Sequence, residues 1–505
     1  MLDKEMNYVI ENYQRKSEFS SFLPGISGAK GIPMWCYYTN RGQCVSCFGV
    51  RDKDHSIMEF YPAHQAYERT PLMGFRTFLK IDGKYMEAFA DPEAKHCMKI
   101  GMNSLILEEE TEQYKICVEY ETLPSEPLAG LMRHVTVTSK LEEETCIELV
   151  DGMPEIIPYG VTATTMKEMG QTAKAWMQVL DKDSRLPKFK VRASMEDSAE
   201  VTEVTGMNFA MGKGVDENLI PVIVDKTILF EYDHSLRKAY GLAKNSLEDL
   251  LDQTQIDCND VPCCFFADKK TVKKNEDFSI QEIYGMSEDW DAYENLKEMF
   301  LTENWFENKQ RESKELAFNI TERIKTETGN PVFDAYCRQN YLDNLLRGGY
   351  PVKIGENQVF YLYSRKHGDM ERDYNFFSML PEYYSQGNGN FRDVNQNRRC
   401  DVQFSPFVGK SVIKTFYNAL QINGYNPLVI DKIVYRLDEE YEKVLAGNSE
   451  EPEEIKEILH GEFTPGSLYR SLEKCGITNV DEIFEKINEF GKTNRQDCIW
   501  RGTLE

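Results

Sequence analysis

The chain has 505 residues, of which 41% are hydrophobic and 28% charged, a composition typical of a globular protein with room for about three domains. Its formal net charge of −25 argues against nucleic acid and anionic membranes as partners, because the field of the whole chain repels both. No apolar run approaches the ~18 residues that cross a bilayer, and the N-terminus lacks the apolar core of a secretory signal. These features predict a soluble, cytoplasmic protein.

The thirteen cysteines are an odd number and mostly scattered, which does not favour a disulfide framework in a chain of this size. Cys44-Val45-Ser46-Cys47 has the CxxC spacing of half a metal site, but no second CxxC completes a set of four ligands. The residues around it alternate as in a strand, so we predict buried strand cysteines. The sequence indicates no metal and no organic cofactor.

Residues 1–286 are predicted to form a β domain. Short segments rich in Val, Ile, Thr, Tyr and Phe are separated by turn signals such as Asp82-Gly83. Few helical stretches interrupt them, which favours a large antiparallel sandwich over alternating βαβ units. Among the predicted strands are 115–120, 134–138, 146–150 and 222–232.

The hydrophobic period changes near residue 287. Residues 291–328 contain neither Gly nor Pro, and their apolar side chains recur at three- and four-residue spacing, which predicts helices. We assign 287–330 to a helical linker and 331–505 to a helical domain, with Gly329-Asn330-Pro331 as the break between them. Further helices are predicted at 332–347, 410–422, 430–446, 465–474 and 480–490.

Segment 361–400 concentrates basic side chains in an otherwise acidic protein: Arg365, Lys366, His367, Arg372, Arg392, Arg398 and Arg399. Within it, 386–390 (QGNGN) is predicted to be a loop whose glycines let the backbone approach a ligand closely. Arginine offers forked donors for phosphate or carboxylate oxygens, whereas carboxylates and amides bond to hydroxyl groups. A solvated surface loop without function is the alternative interpretation.

The loop is followed and flanked by side chains that suit a sugar. Asp393, Asn395, Gln396 and Asn397 supply directional hydrogen bonds, and Tyr383, Tyr384 and Phe391 supply flat faces for stacking. The combination indicates a site for a hydroxyl-rich ligand beside an anion.

The motif at 389–397 (GNFRDVNQN) lies shortly after the start of the helical domain. It resembles the Gly-x-Arg-Asp-x-x-Gln-Asp motif of the cellobiose phosphorylase family, glycoside hydrolase family 94. Asn390 stands where the family has glycine, and Asn397 stands where it has an acid. Together with 22–26 (FLPGI) and 31–35 (GIPMW), the variant is most similar to the 1,2-β-oligoglucan phosphorylase branch.

The resemblance implies an antiparallel super-β-sandwich, a helical linker and the first part of an (α/α)6 barrel. It implies phosphorolysis of β-linked gluco-oligosaccharides, β-1,2-linked in this branch, with inversion to α-glucose 1-phosphate. Inorganic phosphate is then a co-substrate and the nucleophile. A cationic cradle replaces the second carboxylate that an inverting hydrolase needs.

The family's motif carries over to Arg392 and Asp393 as holders of the terminal glucose, with Gln396 and Asn397 as supporting contacts. Candidates for the phosphate or for the hydroxyls of the leaving sugar are Arg365, His367 and Arg398. A buried ion pair that only fixes the loop is the alternative for Arg392 and Asp393.

The resemblance places the general acid, an aspartate in a Trp-Asn-Asp-like setting, well over a hundred residues beyond the Arg-Asp pair. The catalytic residue is therefore expected beyond residue 505, since Asp497 and Trp500 do not match that setting. We expect an N-terminal portion of an enzyme that is inactive alone. Either a C-terminal polypeptide that completes the barrel or a second copy of the chain would be its protein partner.

Other functions stay open at this point. An inverting glycoside hydrolase, or a β-1,3 or β-1,4 glucan phosphorylase on the same scaffold, is one alternative. A carbohydrate-binding subunit without chemistry is another, because a fold by itself does not choose among such functions.

Overall fold

A computed structural model describes residues 1–195, 199–200, 202–214, 216–355, 358–362, 378–437 and 452–494. The chain divides into two compact units. The first comprises Met1–Ile26, Met34–Pro124 and Leu128–Ala317, and the second comprises Ser27–Pro33, Ser125–Pro127 and Phe318–Glu505. Two short early segments thus belong to the second unit, which no local pattern in the sequence indicates. The domain limits at 286/287 and 330/331 stay predictions.

The first unit is built mainly of strands. In chain order they are β1 (Tyr8–Glu11), β2 (Ser20–Leu23), β3 (Trp35–Thr39), β4 (Val45–Gly49), β5 (Ser56–Met58), β6 (Arg76–Ile81), β7 (Lys84–Glu87), β8 (Lys95–Ile100), β9 (Ser104–Glu110), β10 (Tyr114–Thr122), β11 (Ala129–Ser139), β12 (Thr145–Met153), β13 (Met177–Leu180), β14 (Lys188–Val191), β15 (Met207–Lys213), β16 (Val222–Ile223), β17 (Cys264–Val272) and β18 (Asp277–Ser287). Its helices are α1 (Ala63–Met73), α2 (Ala163–Lys174), α3 (Lys226–Phe230), α4 (Tyr240–Lys244), α5 (Leu247–Leu251), α6 (Trp290–Phe300) and α7 (Trp305–Thr321), and the last residues of α7 belong to the second unit.

Three antiparallel sheets make up the core of this unit. They have nine strands (β1-β8-β9-β10-β11-β18-β15-β14-β13), five strands (β16-β17-β12-β6-β7) and four strands (β2-β3-β4-β5). The ring of Tyr284 in the nine-stranded sheet lies 6.2 Å from Phe266 in the five-stranded sheet and 6.5 Å from Phe48 in the four-stranded sheet. The sheets pack on one another through such contacts, which confirms the predicted antiparallel β-sandwich architecture.

The predicted strands 115–120, 134–138 and 146–150 lie within β10, β11 and β12. The strand predicted at 222–232 is wrong beyond Ile223. Asp225 accepts a hydrogen bond from the backbone N–H of Thr227 (2.9 Å) and begins helix α3 there. An Asp N-cap of this kind outweighs the strand preference of the Val and Ile residues around it.

Cys44 and Cys47 are both fully buried, as predicted. Cys47 lies in β4, but the prediction of a strand is wrong for Cys44, which precedes β4 in a turn with a left-handed backbone (φ 69°). Burial raises the pKa of both thiols. A thiol held protonated in this way is a packing group rather than a nucleophile.

The second unit consists of short helices and two-stranded sheets. Its elements are α8 (Pro331–Gly348), β19 (Tyr350–Ile354), β20 (Gln358–Leu362), β21 (Gly389–Asn390), α9 (Phe391–Arg398), α10 (Asp401–Phe404), α11 (Ser411–Asn418), β22 (Val429–Ile430), β23 (Tyr435–Arg436), α12 (Glu453–His460), α13 (Pro465–Lys474), α14 (Val480–Phe490) and β24 (Lys492–Thr493). Apolar side chains from α12, α13 and α14, such as Leu459, Leu468 and Ile487, share one buried cluster with Phe360 and Tyr435. The described residues of this unit form no (α/α)6 barrel.

Most predicted helices are confirmed. Those predicted at 465–474 and 480–490 have the bounds of α13 and α14, and α8 begins at Pro331 after an Asn330 cap. The helix predicted at 430–446 is wrong where it is described, because Val429–Ile430 and Tyr435–Arg436 pair as strands with residues 389–390 and 492–493; residues 438–451 lie outside the described part. No helix in the described ranges is long and apolar enough to cross a membrane.

Candidate functional site

Residues 386–390, just before helix α9, are hydrogen-bonded to residues 429–433. Gly389 and Asn390 pair with Ile430 and Val429. The side-chain amide of Gln386 donates to the backbone oxygen of Ile433 (3.2 Å) and accepts from its N–H (3.0 Å). The predicted loop at 386–390 is thus an ordered edge, and neither of its glycines has a left-handed backbone.

Helix α9 begins at the motif because Asn390 caps it. The amide oxygen of Asn390 accepts from the N–H groups of Arg392 (3.1 Å) and Asp393 (3.4 Å), and such a cap contributes about 1 kcal/mol to a helix. Phe391 and Val394 pack with Phe416 of α11 in a small buried cluster. One side of α9 is therefore apolar and buried, and the other carries the polar residues of the motif.

Arg392 and Asp393 lie together at the first turn of α9. The Nε atom of Arg392 is 3.3 Å from Oδ1 of Asp393, and their side chains are 63% and 14% exposed. Because Arg392 is largely in solvent, the pair is not the buried ion pair considered as an alternative. It presents guanidinium N–H donors and a carboxylate acceptor at the surface of the second unit.

The two supporting residues of the motif differ in their environment. Gln396 is exposed on the same side of α9 as Arg392, about one helical turn away. Asn397 is half-buried, and its amide donates to the backbone oxygen of Asp393 (2.8 Å). The donor capacity of Asn397 is therefore partly used inside the helix, whereas Gln396 is available to a ligand.

Arg398 points into the protein and is only 2% exposed. Its guanidinium donates to the backbone oxygens of Asn344 (2.8 Å) and Gly349. These contacts tie α9 to the end of α8, a structural role that the basic composition of the segment did not predict. The other two candidates, Arg365 and His367, lie outside the described residues.

The aromatic faces predicted to stack on sugar are engaged with other rings. The ring centroids of Tyr383 and Tyr384 lie 6.3 and 5.2 Å from that of Tyr469, and Phe391 lies 5.2 Å from Phe416. Tyr469 also has the Lys30 ammonium 4.8 Å from its ring centre. These partners come from distant parts of the sequence, so inspection of segment 361–400 could not reveal them.

A narrow cleft of about 560 Å³, counted with its open mouth, lies against the other side of α9. Val394 and Arg398 line it from the helix, about half a turn away from Arg392 and Gln396. Across it lie Gly387, Gly389, Thr415, Asp431 and Lys432. The helix therefore separates this cleft from the polar face, which we define as Arg392, Asp393 and Gln396.

Asp401 is a titratable residue near the motif that sequence reasoning missed. It is 6% exposed, and Oδ2 lies 3.6 Å from Nε of Arg398. Desolvation by burial raises the pKa of Asp401 to about 6, although Arg398 and the Tyr361 hydroxyl lower it. Only tertiary packing reveals this residue, because an Asp after a basic run is ordinarily solvated.

Comparison with known proteins identifies no family for this chain. No protein-family model matches it, and no curated protein is similar in sequence. A solved structure described provisionally as a kojibiose phosphorylase from the human microbiome aligns with 10% identity and a TM-score of 0.32, covering 82% of this chain and 45% of that one. The chain thus spans less than half the length of that structure, and a TM-score this low does not establish a shared fold.

Proposed function

We propose that this chain supplies the glucan-binding face of a glycoside phosphorylase. The reaction is the attack of inorganic phosphate on β-linked gluco-oligosaccharides, β-1,2-linked ones in particular, with inversion to α-glucose 1-phosphate. The observation that carries the proposal is the Arg392–Asp393 pair on the first turn of a capped helix, in which the arginine is exposed and the carboxylate is partly buried. The resemblance of the motif at 389–397 to the cellobiose phosphorylase family supports it.

The chemistry of the polar face suits a glucose ring. A carboxylate that is partly screened from water accepts hydrogen bonds from two neighbouring hydroxyl groups, and a guanidinium donates to hydroxyl or phosphate oxygens in a fixed fork. Gln396 adds an amide that both donates and accepts. We assign binding of the terminal glucose to these residues and assign the proton donor to none of them.

A carbohydrate-binding role without catalysis is the second candidate. It is favoured by the openness of the polar face, since Arg392 is mostly solvated and the cleft lies on the opposite side of α9. Enzymes generally surround the reacting sugar, whereas a binding subunit needs only one complementary face.

Calorimetric titration of the chain with β-1,2-, β-1,3- and β-1,4-gluco-oligosaccharides tests the site without requiring turnover. We expect the β-1,2 series to bind and Arg392→Ala or Asp393→Ala to weaken binding by about tenfold or more, as expected for charged hydrogen bonds. Arg347 and Asp343 form a matched exposed pair on α8 (2.9 Å), so Arg347→Ala and Asp343→Ala serve as controls. Equal loss in both pairs, or no binding of any oligosaccharide, contradicts the proposal.

A second assay separates the reaction types. The chain is incubated with oligosaccharide, alone and with any polypeptide encoded immediately downstream, with and without inorganic phosphate. Release of α-glucose 1-phosphate that depends on phosphate indicates a phosphorylase, equal glucose release without phosphate indicates a hydrolase, and binding without either product indicates a binding subunit.

A further inference from the structure

A compact polar cluster lies at the C-terminal end of α9, formed by Tyr361, Arg398, Asp401 and Ser411. The Tyr361 hydroxyl faces Asp401 and Ser411, and Asp401 faces Arg398. Tyr361 Oη, Arg398 Nε, Asp401 Oδ2 and Ser411 Oγ are all buried, and within the described residues none makes a hydrogen bond of good geometry. Buried polar atoms normally have such partners, so a group of four without them marks an incompletely satisfied, adjustable contact.

The same cluster joins four elements around the motif helix. Tyr361 lies in β20, Asp401 begins α10 and Ser411 begins α11. Arg398 adds the end of α8 through the carbonyls of Asn344 and Gly349. A Cβ atom at Gly348 would lie 2.7 Å from the Arg398 Nε atom, so only glycine leaves room for this guanidinium.

The charge balance of the cluster depends on Asp401. Among the described residues, the titratable groups that face it are Arg398 and Tyr361, with Tyr341 of α8 also within electrostatic reach. Burial raises the pKa of Asp401 to about 6, above the 3.8 of a solvated Asp. A state in which α9 lifts and Asp401 is hydrated binds its proton less tightly, so ionisation favours that open state.

We propose that Asp401 is a positioning residue: through Arg398 and Tyr361, its protonation state sets how firmly α9 holds Arg392 and Asp393 in place. The hold is firm while Asp401 is protonated and weakens when it ionises. The consequence for ligand binding rests on the proposed function, whereas the hold on α9 does not.

Amide hydrogen exchange of residues 391–398, corrected for intrinsic rates, measures the hold directly. In the unsubstituted chain we expect protection to fall as pH rises from about 4 to about 6, by up to about 100-fold, because each unit between the pKa of the hydrated and of the buried carboxyl is a factor of ten. Asp401→Asn should keep high protection throughout. Asp343→Asn, which removes an exposed carboxylate that pairs with Arg347 on α8, should behave like the unsubstituted chain.

A second substitution keeps the test decisive if Asp401→Asn does not fold. Tyr361→Phe removes a hydroxyl that lowers the pKa of Asp401, so the fall in protection should move to higher pH. A pH-independent protection in the unsubstituted chain, or an unchanged midpoint in Tyr361→Phe, overturns the inference.

Titration with β-1,2-gluco-oligosaccharide over the same pH range distinguishes this inference from the proposed function. We expect affinity to fall as pH rises from about 4 to about 6 in the unsubstituted chain and to stay level in Asp401→Asn. One outcome is a pH-dependent fall in amide protection that Asp401→Asn abolishes, together with no oligosaccharide binding at any pH. It supports the role of Asp401 in positioning α9 and contradicts the proposed function. Tight oligosaccharide binding that is independent of pH, with amide protection that is also independent of pH, supports the proposed function and contradicts the role of Asp401.

Discussion

At the scale of single residues, the most demanding contact in the first unit is a charged network inside the sandwich. Arg133 is fully buried and donates to both carboxylate oxygens of Asp151 (2.6 and 2.8 Å) and to the amide oxygen of Gln43 (2.6 Å). Glu282, also fully buried, lies 3.6 Å from the same guanidinium. Desolvation, and then the charge of Asp151, raise the pKa of Glu282 well above its usual value, so Arg133 pairs with one carboxylate rather than two.

This arrangement predicts unequal effects of two substitutions. Arg133→Met leaves the Asp151 charge buried without its partner and should lower the free energy of unfolding by about 3–5 kcal/mol. Glu282→Gln retains the uncharged form that the fold prefers and no longer has to take up a proton on folding, so it should raise the free energy of unfolding near neutral pH and change it little at about pH 4. Urea denaturation measures both, and equal losses would show that Glu282 is ionised.

The polar face gives a second prediction at this scale. If Arg392 and Asp393 hold glucose in the transition state, then Arg392→Ala or Asp393→Ala should lower turnover by ~10² or more, a loss of about 2.7 kcal/mol of transition-state stabilisation. The melting temperature should hardly change, because Arg392 is exposed and its pair is on the surface. A large drop in melting temperature with normal residual turnover would instead assign the pair a structural role.

At the scale of elements, helix α7 packs on the nine-stranded sheet through a polar layer. Gln310 donates to Glu121 (2.9 Å), Lys314 lies 3.4 Å from the same carboxylate, and Asn103 donates to Ser313 (2.8 Å). Glu121 is fully buried. Desolvation raises the pKa of Glu121 to about 7, while Lys314 opposes the shift.

The contact of α7 with the sheet should therefore depend on pH. The folded-state pKa of Glu121 lies above its unfolded value of 4.5, so its stabilising contribution is complete below about pH 4.5 and is lost as pH rises through about 7. Glu121→Gln should remove this loss and gain up to about 2 kcal/mol over the unsubstituted chain between about pH 5 and pH 8. Urea denaturation at both pH values tests it, with Glu112→Gln, in the exposed turn before β10, as the control that should not change the difference.

At the scale of the whole molecule, each unit has a buried core of its own. Leu149 is fully buried in β12 of the first unit, and Leu468 is fully buried in the cluster of α12, α13 and α14 in the second. Separate cores of this kind allow separate unfolding transitions.

Unfolding by urea should accordingly show two transitions that respond to different substitutions. Trp35, Trp176, Trp290 and Trp305 belong to the first unit, so in a background in which the fifth tryptophan is removed (Trp500→Phe) the fluorescence reports the first unit. Leu468→Ala should shift a transition seen by circular dichroism but not by fluorescence, and Leu149→Ala should shift the fluorescence transition, each by about 2–5 kcal/mol. One shared transition that moves in both variants would contradict independent cores.

The sequence by itself determined the elements whose signals are local. Alternation identified β10, β11 and β12, and apolar spacing with Asn330 and Pro331 as start signals identified α8, α13 and α14, since side-chain period and caps act within a few residues. It singled out the segment that carries Arg392 and Asp393, but it did not predict the helix at Phe391–Arg398. Their exposure matches a binding face, although their role stays a prediction.

Tertiary structure alone decided which residues meet. The strands at 429–430 and 435–436 form because distant segments at 389–390 and 492–493 supply their hydrogen bonds. Burial of Arg398 and Asp401 likewise depends on Asn344, Gly349 and Tyr361. A local pattern contains no information on such partners, because the free energy of a strand pair or of a buried charge depends on what the fold brings against it.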